Sequence, residues 1–408
     1  MVRVAVVAEW YPSPGDPVLG IWAQRQAVAA RDAGAEVRVL ALRRPIPPLS
    51  VARRLFDVPP STGPLSRWIE GARTSLRPMT LDGLSVEPVP FVSPPRPVSY
   101  GGWGYCMAPP LGRALDRLYR DWPFDVLHAH CLAPAGHAAA RWARRRASPA
   151  FVVSAHGPDM INVPENSSVG RRACVAAIST ADLVVANSTW AASRCEQIAG
   201  RTLPVRVVHL GADVPSTMHT ANGTIRMVTV AHLVARKRHD VVLRALARVE
   251  PAHRPEYLVI GDGPCRESLE RLAGELGLAD WVRFLGQLPN PEAVARARAC
   301  DLFVMPGVEE PFGVAFVEAM AAGLPAIGSR GEGGPEDISA AGAGMLLVDP
   351  GDADGLATTI ERLTADREGL RRLGAAARET VAANFTWKRC GVETVAAYDE
   401  ALAAHQAR

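Results

Sequence analysis

A chain of 408 residues is longer than one hydrophobic core ordinarily grows, so two domains are expected, with one large barrel as the alternative; 48% apolar and 21% charged residues exclude large-scale disorder. A net charge of +3, from 45 basic and 42 acidic residues, does not by itself imply nucleic-acid binding, which normally needs a concentrated basic surface, and no nucleic-acid partner is expected. Seven scattered cysteines without Cys-x-x-Cys spacing argue against a disulfide framework or zinc module, and no apolar run approaches the ~20 residues that span a bilayer, so a cytoplasmic protein is expected, with at most peripheral contact at the inner face of a membrane.

Val2 to Ala8 is a short β-branched segment with no charge after Arg3, as in a strand buried on both faces of a parallel sheet. Gly20 to Ala33 has helical spacing and Ala35 to Leu42 reads as the next strand, a βαβ start. From 43 to 123 prolines and arginines crowd the sequence, with Gly-Gly-Trp-Gly-Tyr at 101–105, and long loops are expected; Arg43, Arg44, Arg53 and Arg54 read as an exposed basic face. Strands resume at Val126–Ala129, Phe151–Ala155, Leu183–Asn187 and Val205–His209. A stretch rich in Gly, Pro, Ser and Thr at 211–224 reads as a linker. Beyond it come strands at Ile225–Ala231, Tyr257–Gly261, Val282–Leu285, Leu302–Met305 and Ala326–Gly328, with helices from His239, Pro264 and Phe312. The organisation predicted is therefore an N-terminal Rossmann-like domain over 1–215, a second over 216–385, and a C-terminal helix at 386–408 packing back toward the first. Ligands of such sheets bind at the carboxyl ends of the strands, so the active site is expected in a cleft between the domains.

The chemistry concentrates in Glu310-Pro-Phe-Gly-Val-Ala-Phe-Val-Glu318, running on to Pro325. A helix starting near Phe312 would present unpaired N–H groups and a positive dipole end to a phosphate, with Glu318 beside it for ribose hydroxyls. On these residues alone, Glu310 as a helix-start carboxylate and Glu318 as a solvated acid is an equally good reading. Elsewhere, Val230-Ala-His-Leu-Val-Ala-Arg-Lys-Arg-His239 holds Lys237, one of only two lysines in an arginine-dominated chain. Ser154-Ala-His-Gly-Pro-Asp159 puts His156 directly after a buried strand, where a hydrogen-bonded structural histidine is the plain alternative. His128, His130, Cys131 and His137 complete no metal ligand set and read as structural or acceptor-side; Asp352-Ala-Asp354 reads as a chance Asp-x-Asp on a surface turn.

Over almost the whole length the chain resembles the retaining glycosyltransferases of family 4, which have the GT-B fold: an α/β architecture of two Rossmann-like, doubly wound domains facing each other across a cleft. Glu310 to Pro325 matches the motif of two glutamates flanking a Phe-Gly turn. Gly261-Asp-Gly263, Val282–Gly286, Gly333-Gly-Pro-Glu336 and Met345–Pro350 fall in the family's order. Gly20-Ile-Trp22 with Gln24 and Gln26, Asn187-Ser188 and Gly211-Ala-Asp213 match more loosely. The resemblance implies catalytic roles for His156, Lys237 and Glu310. It implies that Glu310 contacts donor-sugar hydroxyls, Glu318 the ribose, and the backbone of Phe312, Gly313 and Val314 the diphosphate, with Gly20, Gly261 and Gly263 lining the donor site. Lys237 falls on the diphosphate-binding lysine; His232 stands where many members carry arginine, so His232, Arg236 or Arg238 is left to supply that contact.

The activity implied is transfer of a hexose from a nucleoside diphosphate sugar, with UDP the commoner nucleotide and GDP possible, to a hydroxyl acceptor of bacterial cell-envelope glycan or secondary metabolism. No metal and no cofactor besides the donor are expected, since cations stabilise the leaving diphosphate; no carboxylate stands out as a double-displacement nucleophile, so front-face attack is the favoured route to retention. A nucleotide-sugar epimerase of the same fold and an inactive nucleotide-sugar-binding scaffold subunit are the competing readings. Oligomeric state and linkage are not legible.

Overall fold

The computed structural model describes residues 1–46, 64–217 and 223–407. They divide into two units, Met1–His209 with Cys390–Arg408, and Leu210–Arg389. Arg53, Arg54 and residues 218–222 of the expected linker lie outside the described residues.

The first unit is built on eight strands: β1 (Arg3–Ala8), β2 (Glu36–Arg43), β3 (Met79–Leu81), β4 (Leu84–Pro90), β5 (Val126–His130), β6 (Ala150–Ala155), β7 (Leu183–Ala186) and β8 (Val205–Val207), in the order β3-β4-β2-β1-β5-β6-β7-β8. All neighbours are parallel except β3 and β4. The chain builds outward from β1 through β2 to β4 and then returns to place β5 on the other side of β1, which makes β1/β5 the switch point where ligands of such sheets bind. Val4 to Ala8 are 0% exposed, the two-sided burial that a run of Val and Ala without alternation encodes. Helix Trp387–Gln406 packs here through its later part: Gln26 Nε2 donates to Thr394 Oγ1 at 3.1 Å, and Tyr398 Oη meets His128 Nδ1 at 2.9 Å.

The described part of 43–123 corrects the expectation of long loops. It holds helix Pro64–Ser75, the β3–β4 pair and a helix over Trp103–Asp121 that contains Pro109 and Pro110. Trp103, Met107, Leu111, Leu115 and Leu118 of that helix are buried; at roughly 1.5–3 kcal/mol each, their burial outweighs the ~3 kcal/mol of an interior proline. Proline is accommodated in β4 as well. Phe91 N donates to Arg43 O, so odd positions face β2, while Pro88 and Pro90 turn toward the side that β3, paired only with Leu84–Val86, does not reach. Nor are Arg43 and Arg44 an exposed basic face. Arg43 is buried, donating to Tyr11 O and Pro12 O at 2.8 Å, while Arg44 donates to Ser93 and lies over the Trp103 ring.

The second unit has β9 (Arg226–Val230), β10 (Glu256–Ile260), β11 (Val282–Gly286), β12 (Leu302–Val304), β13 (Ala326–Ser329) and β14 (Met345–Val348), all parallel, in the order β11-β10-β9-β12-β13-β14. Its switch point is β9/β12. Met227, Tyr257, Leu302 and Ile327 of the sheet are 0% exposed, as are Leu243, Leu246, Leu356 and Ile360 of covering helices. The Asp352-Ala-Asp354 string has a structural use: Asp352 caps helix Ala353–Ala365, its carboxylate accepting from Asp354 N and Gly355 N. Asp352→Ala is expected to cost ~1 kcal/mol, read as a lower urea midpoint with an unchanged denaturant slope. Among the described residues no helix is long and apolar enough to cross a membrane.

Candidate active site

In the second unit the site forms where β9 and β12 part. The chain leaving β9 turns through Ala235–Lys237, and the loop leaving β12 carries Glu309 and Glu310 against it: Val308 N donates to Arg236 O at 2.7 Å, and Arg236 Nη1 to Glu309 O at 3.2 Å. Lys237 Nζ pairs with Glu310 Oε2, and Arg236 Nη1 stands 3.9 Å from the same oxygen. The side chains of Lys237 and Glu310 are 12% and 9% exposed, against 38% for Arg236. Burial makes this pair dependent on each partner, because either charge left alone would be desolvated without compensation. Glu310 is held from its backbone too, since Glu310 N donates to Glu332 Oε2 at 2.9 Å. Burial raises the Glu332 carboxyl, against the lowering effect of that bond, and neighbouring Glu310 raises it further. Glu332 escaped sequence reading; its only signal was a place in the glycine-rich turn after β13.

The helix expected from Phe312 begins two residues later, at Val314, and runs to Ala321. Gly313 precedes it at φ 79°, and a Cβ there would stand 2.6 Å from the Phe316 ring, so the turn needs glycine on both counts. Phe312 is 1% exposed; its side chain belongs to the core, packing near Phe385 at 6.0 Å between ring centroids. Glu318 lies on the second turn of this helix and lines a small recess with Val230, Phe303 and Arg298. Gly261 and Gly263 bring the turn after β10 against the chain leaving β9: Ala231 N donates to Ile260 O, and Leu233 N to Asp262 O, each at 3.0 Å. Added Cβ atoms there would meet Ala231 O and Leu233 O at 1.9 and 2.5 Å. Two of the basic candidates make no side-chain contact with the Lys237–Glu310 pair among the described residues. His232 is exposed and makes no described side-chain contact with Lys237 or Glu310, and Arg238 is turned to Asp240 at 3.4 Å. Arg236 is the arginine that the fold puts beside Lys237.

In the first unit, residues after β1, β5 and β6 gather around His156. The Trp22 ring lies 4.0 Å from the His156 ring, centroid to centroid, and His130 Nδ1 is 3.0 Å from His156 Nε2. Gly20 makes this possible: it takes φ 72° before helix Ile21–Asp32, and a Cβ would sit 2.1 Å from the Trp10 carbonyl. Gln24 and Gln26 face away, to Asp82 and Thr394. His128 bonds Ser154 Oγ at 2.7 Å and Tyr398 Oη. Desolvation lowers all three imidazoles, His128 and His156 to about 3 and His130 well below its ordinary value, so they are neutral. One proton is then shared across the His130–His156 contact. His156 Nδ1 and His130 Nε2 have no partner among the described residues, and whichever ring donates inward, one outer nitrogen is a donor and the other an acceptor. The loop is held by Asp159, which accepts from Leu132 N, Gly157 N and His156 N at 2.9, 2.7 and 3.2 Å, and by Asn187, which donates to His156 O at 3.0 Å. Burial raises the Asp159 carboxyl, partly offset by those backbone donors. His137 is spent on packing against Tyr105, and among the described residues no three His, Cys, Asp or Glu side chains gather as a metal site would require.

Comparison with known proteins bears on the family and the fold. The family model described as glycosyl transferases group 1 matches residues 219–380, and that described as glycosyl transferase 4-like domain matches residues 20–211. The chain is 29% identical over 271 residues to the GDP-mannose-dependent alpha-(1-6)-phosphatidylinositol monomannoside mannosyltransferase of Mycolicibacterium smegmatis, covering 61% of this chain and 70% of that protein; of the Mycobacterium tuberculosis counterpart it spans 44%. It is 30% identical over 328 residues to the 2-deoxystreptamine glucosyltransferase of Streptomyces kanamyceticus, covering 70% and 80% of the two chains. Its fold matches that of sucrose-phosphate synthase from Thermosynechococcus elongatus with a TM-score of 0.76 over 99% of this chain and 100% of that one, at 20% identity. With two doubly wound units, both family models matched in order and a relative similar over four-fifths of its length, the chain belongs to the GT-B glycosyltransferases of the family 4 type.

Proposed function

We propose that the chain transfers a hexose from a nucleoside diphosphate sugar, in the first instance a UDP-sugar, to a hydroxyl acceptor, with retention of configuration and without a metal ion. The observation that carries this reading is the meeting of Lys237, Arg236 and Glu310 at the β9/β12 switch point. Two cations there can take up the charge that develops on a departing diphosphate, aided by the N-terminus of helix Val314–Ala321. Glu310 accepts from hydroxyls of the donor sugar, exchanging part of its contact with Lys237 for them. The acceptor oxygen attacks from the face that the diphosphate leaves, and the leaving phosphate oxygen takes the acceptor proton. Neutral His156 serves as a hydrogen-bonding ring for a substrate hydroxyl. A second donor, GDP-mannose, is favoured by the name of the Mycolicibacterium relative.

Proton NMR of the full chain with UDP-glucose, UDP-galactose and GDP-mannose tests this, using slow transfer to water when no acceptor is supplied. The newly released hexose should carry the donor's anomeric configuration before it mutarotates; the opposite anomer appearing first would contradict retention. Glu318→Ala should weaken nucleoside diphosphate binding by about tenfold with a smaller change in kcat, since ribose contacts are made equally in ground and transition states. Calorimetric titration with the cognate diphosphate checks it, and unchanged affinity would remove Glu318 from the nucleotide site.

A further inference from the structure

The first unit holds a cavity of about 560 Å³ to which none of the residues assigned above to the donor or to His156 contributes. Arg96, Ser99 and Tyr100, which follow β4, form one wall; Asn162, Asn166 and Ser167, which follow β6, form another. The Arg96 guanidinium lies 4.2 Å from the Tyr100 ring centroid and 4.8 Å from that of Trp10, so two aromatic faces hold it. Tyr100 is fixed in turn, its hydroxyl donating to Glu9 Oε2 at 2.9 Å and accepting from Trp10 Nε1 at 3.2 Å.

Among the described residues no carboxylate lines the cavity and Arg96 enters no ion pair. Glu9, a carboxyl that interacts electrostatically with Arg96, is pushed up to about 7 by burial, with Arg96 and the Tyr100 bond opposing, so its charge offsets Arg96 only in part at neutral pH. Asn162 and Asn166 are four residues apart on helix Pro158–Asn166, hence on one face, and both are exposed with no side-chain hydrogen bond among the described residues. The cavity thus offers one oriented guanidinium, two free amides and the Ser167 hydroxyl, which accepts from Gly170 N. That set matches a ligand with an oxyanion at one end and hydroxyls along its body.

We propose that this cavity binds the acceptor, and that the acceptor is a phosphorylated sugar or polyol whose phosphate sits on Arg96 and whose hydroxyls meet Asn162 and Asn166. Calling the ligand an acceptor rests on the transferase reading above; the site and its chemistry do not.

The test is calorimetric titration of the full chain with glucose 6-phosphate, glucose and inorganic phosphate, alongside sedimentation with phosphatidylcholine vesicles containing or lacking phosphatidylglycerol, with UDP and GDP titrated in parallel. Glucose 6-phosphate should bind at least about tenfold more tightly than glucose. Arg96→Gln should abolish that preference, and Asn162→Ala with Asn166→Ala should weaken glucose 6-phosphate severalfold, each leaving nucleotide binding unchanged. If Arg96→Gln does not fold, the asparagine pair, on exposed positions, carries the test. Arg96-dependent binding confined to phosphatidylglycerol vesicles would support the same chemistry and identify a lipid headgroup as its source. Equal binding of glucose and glucose 6-phosphate, or a preference that survives Arg96→Gln, overturns the proposal. Nucleotide binding with no response to any phosphorylated probe also overturns it while sparing the transferase reading; Arg96-dependent glucose 6-phosphate binding without nucleotide binding does the reverse.

Discussion

Lys237→Met is expected to lower kcat by about 10²–10³-fold, the usual loss when one preorganised donor to developing charge is removed, with a much smaller change in nucleoside diphosphate affinity. The lysine is only 12% exposed and paired with a carboxylate that is 9% exposed, so its charge acts where water screens it little. The same burial predicts lower stability for the single variant, because among the described residues Glu310 is left with Arg236 at 3.9 Å as its remaining cation. Adding Glu310→Gln should restore much of the stability and none of the activity, which separates the two effects. Steady-state kinetics and urea midpoints on both variants are the check. A Lys237→Met enzyme within threefold of the parent kcat would remove the lysine from the chemistry.

Acid should unfold the first unit in a histidine-dependent way. His128 and His130 are 1% and 2% exposed, and burial lowers His128 to about 3 and His130 well below its ordinary value. In the unfolded chain both titrate near ~6.5. Above that pH neither state binds the protons; as pH falls through ~6.5 the unfolded state takes them up and the folded state does not, so stability is lost on acidification toward about pH 3. These two groups contribute a slope approaching ~2.7 kcal/mol per pH unit below ~5.5, and His156, also lowered to about 3, adds to it in the same sense. Urea midpoints from pH 7.5 down to pH 4.5 should fall accordingly, and His128→Asn should remove about one proton from the slope. An unaltered slope would show that these imidazoles are not buried neutral.

Sheets were the most legible part of the chain. Runs such as Val4–Ala8 and Val126–His130 carry little or no charge and do not alternate, and two-sided burial leaves that trace. The helix over Trp103–Asp121 was hidden because its apolar stripe is interrupted by Pro109-Pro110, and proline dominates local reading although burial decides the outcome. Arg43 looked like a surface charge; its position at the end of β2, next to the free carbonyls of Tyr11 and Pro12, is a tertiary fact. In the site, the spacing of Glu310, Gly313 and Glu318 and the rarity of lysine singled out residues of which the fold brings Lys237 and Glu310 together. Their pairing was not legible, since Lys237 and Glu310 are 73 positions apart and meet only because β12 inserts beside β9. The same holds for the His130–His156 contact, which needs β5 beside β6.

The central claim, a nucleoside diphosphate sugar site at the β9/β12 switch point, is tested most directly by thermal unfolding of the purified chain against UDP, GDP and their sugar conjugates without added metal. At a hundredfold the dissociation constant a cognate ligand adds ~2.7 kcal/mol of stability. The account predicts one selective shift, diminished in Glu318→Ala; no shift with any nucleotide or nucleotide sugar would contradict it.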